Sequence, residues 1–95
     1  VPSYLQIVDV RSSSEFQRGH LKEAVNIDAR KLSPGDFLEK LPKDKTIILS
    51  CDLGHESKKA YEKLVKADAD VSNIRYFYAR VQILPSGKYI IREKT

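Results

Sequence analysis

Methionine and tryptophan are absent from this 95-residue chain, and cysteine occurs once, at Cys51. A lone cysteine excludes an internal disulfide, so any redox role needs a ligand or a second molecule, and reduced, cytoplasmic surroundings suit it best. No apolar run approaches the roughly 20 residues of a membrane-spanning helix, and no signal-peptide pattern opens the chain. Also missing is an Arg/Lys run with spaced aromatics. The net charge of +4 is spread over Lys58, Lys59, Lys63, Lys66, Arg75, Arg80, Lys88, Arg92 and Lys94, with acidic residues between them. That is the pattern of a solvated surface rather than of a nucleic-acid interface. The same charge can draw in small anionic substrates or an acidic partner. A chain that opens at Val1 without any methionine is expected to be one domain, residues 1–95, excised or trimmed from a longer protein. Its length allows a single modest core.

What is present alternates. Leu5-Gln6-Ile7-Val8-Asp9-Val10 has the β-branched, apolar character of a buried strand. Ser12 or Ser13, followed by Glu15, can cap a short helix over residues 15–18 that Gly19-His20 ends. Ala24–Ile27 is a second short strand. Ser33-Pro34-Gly35-Asp36 turns into a helix over Phe37–Leu41, closed by Pro42. Thr46–Ser50 is the most buried strand of the set. Residues 58–66 read as a helix with Ala60, Tyr61, Leu64 and Val65 on one apolar side. Asn73–Tyr78 is a fourth strand, and the tail, with Pro85-Ser86-Gly87 between Gln82-Ile83-Leu84 and residues 88–92, reads as a hairpin. Short strands alternating with helices predict an α/β domain with a mainly parallel sheet.

In such sheets ligands bind beyond the carboxyl ends of the strands. Cys51 stands at one such end, followed by the Gly-containing segment Asp52-Leu53-Gly54-His55-Glu56-Ser57 and then a helix. Loop amides and a positive helix end favour a thiolate, the form that attacks. Nucleophilic or sulfur-carrying chemistry is one reading of this placement, and a buried structural cysteine is the other. Asp9 and Arg11 leave the first strand at the same sheet end.

In order along the chain, Ile7-Val8-Asp9-Val10-Arg11, Glu15-Phe16, Gly19-His20-Leu21, Ala24-Val25-Asn26-Ile27 and the Cys51 loop with Gly54 and Ser57 resemble the rhodanese-like (single-domain sulfurtransferase) family. The resemblance covers roughly residues 5–80. It implies a sheet of about five strands flanked by helices, and a cysteine that takes up a sulfane sulfur as a persulfide and passes it to a thiol or to cyanide. It implies no cofactor and no metal. The six residues from Cys51 to Glu56 match the loop length of sulfur-handling members; the related phosphatases and arsenate reductases use a loop one residue longer.

Two departures stand out. Glu56 occupies a place where many active members carry a basic residue. A carboxylate there would repel anionic donors such as thiosulfate unless it points away, which shifts the expected donor toward polysulfide, persulfide or a partner protein. At a helix start an acid also has an ordinary stabilising role. The Gly-Gly…Trp signature after the last strand is replaced by Tyr78-Ala79-Arg80-Val81. A binding or regulatory module attached to a larger enzyme is therefore the alternative function.

By the same resemblance Asp9 and Arg11 lie near the active loop; an ion pair bracing the sheet end is the plainer expectation for them. His20 is expected to pack and close a turn, and His55 to sit on the surface. A zinc site from His20, His55 and Cys51 lacks the ligand number and spacing of a structural site. Lys58 and Lys59 are the candidates for meeting an incoming anion, or else exposed solubility groups. Tyr61, Tyr76, Phe77 and Tyr78 are expected to pack the core and rim.

Overall fold

The apolar run near the start becomes β1 (Leu5–Asp9), and it lies in the middle of a sheet because both its neighbours are strands that follow later in the chain. The computed structural model describes residues 2–83 and 88–93. After β1 come α1 (Ser13–Arg18), β2 (Val25–Asn26), a single 3-10 turn at Ala29–Lys31, α2 (Pro34–Lys40), β3 (Thr46–Ser50), α3 (His55–Lys66), β4 (Ile74–Tyr76), β5 (Ala79–Ile83) and β6 (Tyr89–Glu93). The main sheet has the order β2-β1-β3-β4, and its three pairings are all parallel.

That sheet has four strands rather than the expected five; β5 and β6 pair with each other in a separate antiparallel ribbon. The reason is the connection. Only Phe77 and Tyr78 separate β4 from β5, whereas a parallel neighbour needs a crossover of a dozen residues or so. The hairpin expected of the tail is present as this strand pair, beginning at Ala79. Its turn at Pro85-Ser86-Gly87 lies outside the described residues.

Register explains the core. Val8 sits opposite Leu49 on β3, and Ile47 and Leu49 sit opposite Ile74 and Tyr76 on β4, so these side chains share one face of the sheet. Phe37 of α2 and Ala60 and Leu64 of α3 close over that face in a single buried cluster. The stripe α3 buries is Ser57, Ala60 and Leu64, with Tyr61 packed at its edge. Val65, expected on the apolar side, is 48% exposed. It lies a further 100° round from Leu64, beyond the reach of the sheet.

Candidate active site

The strand order reverses between β1 and β3: the chain leaves β1 for β2 on one side and returns to β3 on the other. Crevices open at such a switch point, beyond the carboxyl ends of the two strands. Val10 here donates to the carbonyl of Ser50, and Cys51 is the next residue. Continuing the alternation of Ile47 and Leu49, Cys51 belongs to the face that α3 covers, and it joins the buried cluster with 4% of its surface exposed.

The sulfur is held by amides. The N–H of Gly54 donates to Cys51 Sγ at 3.0 Å, and the N–H of Ser57 donates to it at 3.4 Å. Ser57 is the third residue of α3, so its N–H is one of the orphan donors of a helix start. Gly54 is the N-cap residue and supplies no side-chain acceptor. The sulfur takes that place. Cys51 thus caps α3 from three residues before Gly54, its sulfur facing the helix start and two N–H donors. The turn that permits this requires Gly54, at φ 84° and ψ −11°, in the left-handed region.

This capping also explains why α3 starts at His55, three residues earlier than periodicity placed it. Glu56 and Ser57 belong to the first helical turn, and only Asp52, Leu53 and Gly54 form the loop proper. Ser57 is fully buried. Its hydroxyl accepts from the Cys51 thiol at 3.5 Å and can donate to the carbonyls of Phe77 at 2.8 Å and Gly54 at 3.1 Å. The carbonyl of Phe77 is a part of the site that sequence reasoning missed. Its only signal was topological: β4 lies beside β3, so the residue leaving β4 must approach the residue leaving β3.

Asp9 and Arg11 form the brace. Arg11 Nε and Nη2 donate to the two carboxylate oxygens of Asp9 at 3.0 and 2.7 Å, and Nη2 also reaches the carbonyl of Gly19 at 2.8 Å. The backbone N–H of Arg11 donates to the same carboxylate, and Asn26 Nδ2 ties down the carbonyls of Asp9 and Arg11. The hydrogen bonds that Arg11 donates to Asp9 hold its pKa above the ordinary value; burial opposes them, and the charges of Asp9, Asp52 and Glu15 act in the raising direction. Asp52, the first loop residue, is thereby linked electrostatically to the brace.

Glu56 pairs along its own helix. Its carboxylate lies 3.9 Å from Lys59 Nζ, and it lines a cavity of about 350 Å³ with Ala29, Arg30, Lys59, Ala60 and Lys63. Lys59 is therefore engaged on the Glu56 side. Lys58 sits on the other flank, its Nζ 5.0 Å from the centre of the Tyr78 ring. His20 stacks on Phe16 at 3.6 Å and its Nδ1 donates to the Phe16 carbonyl at 2.7 Å, closing the end of α1. His55 opens α3 on the surface. Tyr61 and Tyr76 pack ring against ring, 5.1 Å apart. Among the described residues no group of three His, Cys, Asp or Glu side chains could hold a metal ion, and no helix is long and apolar enough to cross a membrane.

Known proteins resemble this chain in sequence and in fold. The chain is similar to the thiosulfate sulfurtransferase GlpE of Pseudomonas savastanoi pv. phaseolicola, with 34% identity over 59 residues, 62% of this chain and 54% of that protein. It thus spans about half the length of this curated relative. A crystal structure of a rhodanese-related protein from Thermoplasma volcanium superposes with a TM-score of 0.60 at 26% identity, covering 77% of this chain and 68% of that one. An uncharacterized protein from Saccharomyces cerevisiae shares the fold, with a TM-score of 0.57 at 24% identity over 81% and 72% of the two chains. Residues 2–85 match the model of the rhodanese-like domain, and with a match across most of its length the chain belongs to that family.

Proposed function

We propose that this domain carries sulfane sulfur on Cys51 and hands it to a thiol or to cyanide. The observation that carries the reading is the capping of α3 by the sulfur itself, with the Gly54 and Ser57 amides at 3.0 and 3.4 Å from Sγ. Amides aimed at the sulfur stabilise it as thiolate and as the anionic persulfide that replaces it.

The steps balance without an outside oxidant. The Cys51 thiolate attacks the outer sulfur of the donor; the S–S bond of the donor breaks and its remainder leaves with the electron pair, as sulfite from thiosulfate or as a thiolate from a persulfide or polysulfide. The acceptor then attacks the outer sulfur of the persulfide and Cys51 leaves as thiolate. Both small reagents suit a cysteine that is only 4% exposed. Thiosulfate, polysulfide and persulfide all qualify as donors. A carboxylate aimed at the sulfur would repel thiosulfate; the 3.9 Å pairing of Glu56 with Lys59 and its place in one cavity lining with Arg30 support thiosulfate as a donor beside the other two. A reducing, cytoplasmic setting keeps such a thiol available.

Intact mass of the reduced protein, after exposure to polysulfide or thiosulfate, tests the proposal. The expected result is a gain of one sulfur atom that cyanide removes and that Cys51→Ser never acquires. The deep burial of Cys51 favours one other reading, a binding or regulatory module in a longer protein. No sulfur uptake from either donor, with partner binding unchanged in Cys51→Ala, would establish that module instead.

A further inference from the structure

The hydroxyl of Ser57 has a single hydrogen and more neighbours than that hydrogen can serve. Its Oγ lies 2.8 Å from the carbonyl of Phe77, 3.1 Å from the carbonyl of Gly54 and 3.5 Å from Cys51 Sγ. Carbonyls only accept, so the hydrogen serves one of them at a time. The Gly54 carbonyl already receives the Lys58 N–H at 3.2 Å, and the Phe77 contact is the shorter of the two. The hydrogen therefore lies toward Phe77, and the oxygen offers a lone pair to the sulfur. That arrangement suits a thiol, which donates to the lone pair. It does not suit a thiolate, which needs a donor. Both ends are fixed: Ser57 is fully buried in the first turn of α3, and the N–H of Phe77 donates to the carbonyl of Leu49 at 2.9 Å. What can change is the torsion of the hydroxyl.

We infer that Ser57 is a positioning residue for sulfur transfer, whose hydroxyl hydrogen lies on the Phe77 carbonyl while Cys51 is a thiol and turns to Sγ when Cys51 is a thiolate. The thiol proton leaves to solvent and the hydroxyl keeps its own, so the turn makes and breaks no covalent bond. A neutral hydrogen bond to Phe77 is exchanged for a charge-assisted one to sulfur, which is about twice as strong. The Gly54 and Ser57 amides donate to the sulfur in either state; only the hydroxyl changes its role with the charge. It acts twice in a cycle, on the thiolate that attacks the donor and on the thiolate that leaves when the acceptor takes the outer sulfur. The role in transfer rests on the sulfur-carrier reading, whereas the turn of the hydroxyl toward a thiolate does not.

The Phe77 carbonyl can be watched directly. Phe77-Tyr78 is the one Phe-Tyr step in the sequence, so carbonyl-labelled phenylalanine with amide-labelled tyrosine gives a single NMR correlation for it. Cys51 is the one thiol, so loss of the S–H infrared band follows its ionisation alone. As pH rises and the band is lost, the Phe77 carbonyl resonance should shift in step in wild type and stay in place in Ser57→Ala. Other charged groups stand on the elements packed there: Asp9 and Arg11 at the end of β1, Asp52 in the loop, Glu56 and Lys58 beside Ser57, and Tyr78 beside Phe77. Ser57→Ala keeps them all, so any effect of theirs on the carbonyl survives in that variant. Wild type treated with methyl methanethiosulfonate bears an uncharged, methylthio-capped sulfur, and its carbonyl should also stay in place. Ser57→Ala should in addition slow iodoacetamide alkylation about tenfold, the order of one charge-assisted hydrogen bond lost. A wild-type carbonyl that stays still while the band is lost overturns the assignment. So does an equal shift in Ser57→Ala or, should that variant fail to fold, an equal shift in the capped wild type. Sulfur uptake is measured separately. A wild type that takes up no sulfur yet shows the shift loses the transfer reading and keeps the turn of Ser57.

Discussion

Gly54 does two jobs with one backbone. Its left-handed conformation turns the chain into α3, and its N–H makes the shorter of the two amide contacts to Cys51 Sγ, at 3.0 Å. A β-carbon is disfavoured there by about 1–2 kcal/mol. Gly54→Ala should therefore lower the urea midpoint by that order and slow alkylation of Cys51, because relief of the strain moves the N–H off the sulfur. Gly54→Asn should lose less, since asparagine tolerates the left-handed region. A Gly54→Ala protein with wild-type midpoint and wild-type alkylation rate would mean that neither the strain nor the aim of the N–H matters. At this scale the sequence was informative about Cys51 and Gly54, because a cysteine between an apolar run and a Gly-containing loop is visible in a string of letters. It was silent about the Phe77 carbonyl, which every residue type carries alike, and about the direction of Glu56. That direction depends on where helix α3 begins.

The start of a helix is a matter of which acceptor meets its first N–H groups. For α1 the acceptor is ordinary: Ser12 Oγ accepts from the N–H of Glu15 at 3.3 Å and donates to the Glu15 carboxylate at 2.9 Å. The S-x-x-E spacing announces such a cap, whereas Ser33, which accepts from the N–H of Asp36, was read as part of a turn, and α2 begins at Pro34 rather than Phe37. For α3 the acceptor is a sulfur three residues upstream of a glycine, and no cap pattern announces that. The hydrogen bond from Ser12 pulls the pKa of Glu15 below the ordinary carboxylate value. A carboxylate with a lowered folded pKa contributes stability that is present above its unfolded pKa and lost as pH falls through the folded value. Ser12→Ala should cost about 1 kcal/mol at neutral pH, typical for a cap serine. The gap from wild type should narrow as pH falls below the ordinary carboxylate range and through the lowered folded value, as urea titrations at neutral pH and in acid would show. A gap of constant size would mean that the Glu15 carboxylate plays no part in the cap.

Across the whole molecule the sequence conveyed the parallel α/β plan through its alternating strands and helices, and it overcounted the sheet. β5 has strand character, but strand character does not say which partner is within reach, and the two residues after β4 rule out a parallel one. Charge shows the same difference between scales. The net +4 acts at long range, whereas Lys58, over the Tyr78 ring and next in sequence to the Ser57 that touches the sulfur, acts locally. Salt separates them. The Debye length is about 30 Å at 10 mM and about 8 Å at 150 mM, against a radius of gyration of 12.7 Å. At low salt an anionic reagent approaching Cys51 feels the whole molecule; at physiological salt it feels only nearby charge. Iodoacetate labelling of Cys51 should therefore slow between these two conditions in wild type and in Lys58→Gln, while iodoacetamide labelling holds steady. The difference between the two proteins should largely persist at 150 mM, where the contribution of the distant charges has been screened. If that difference vanishes at 150 mM together with the rest of the salt dependence, the attraction belongs to the molecule's overall charge and not to Lys58.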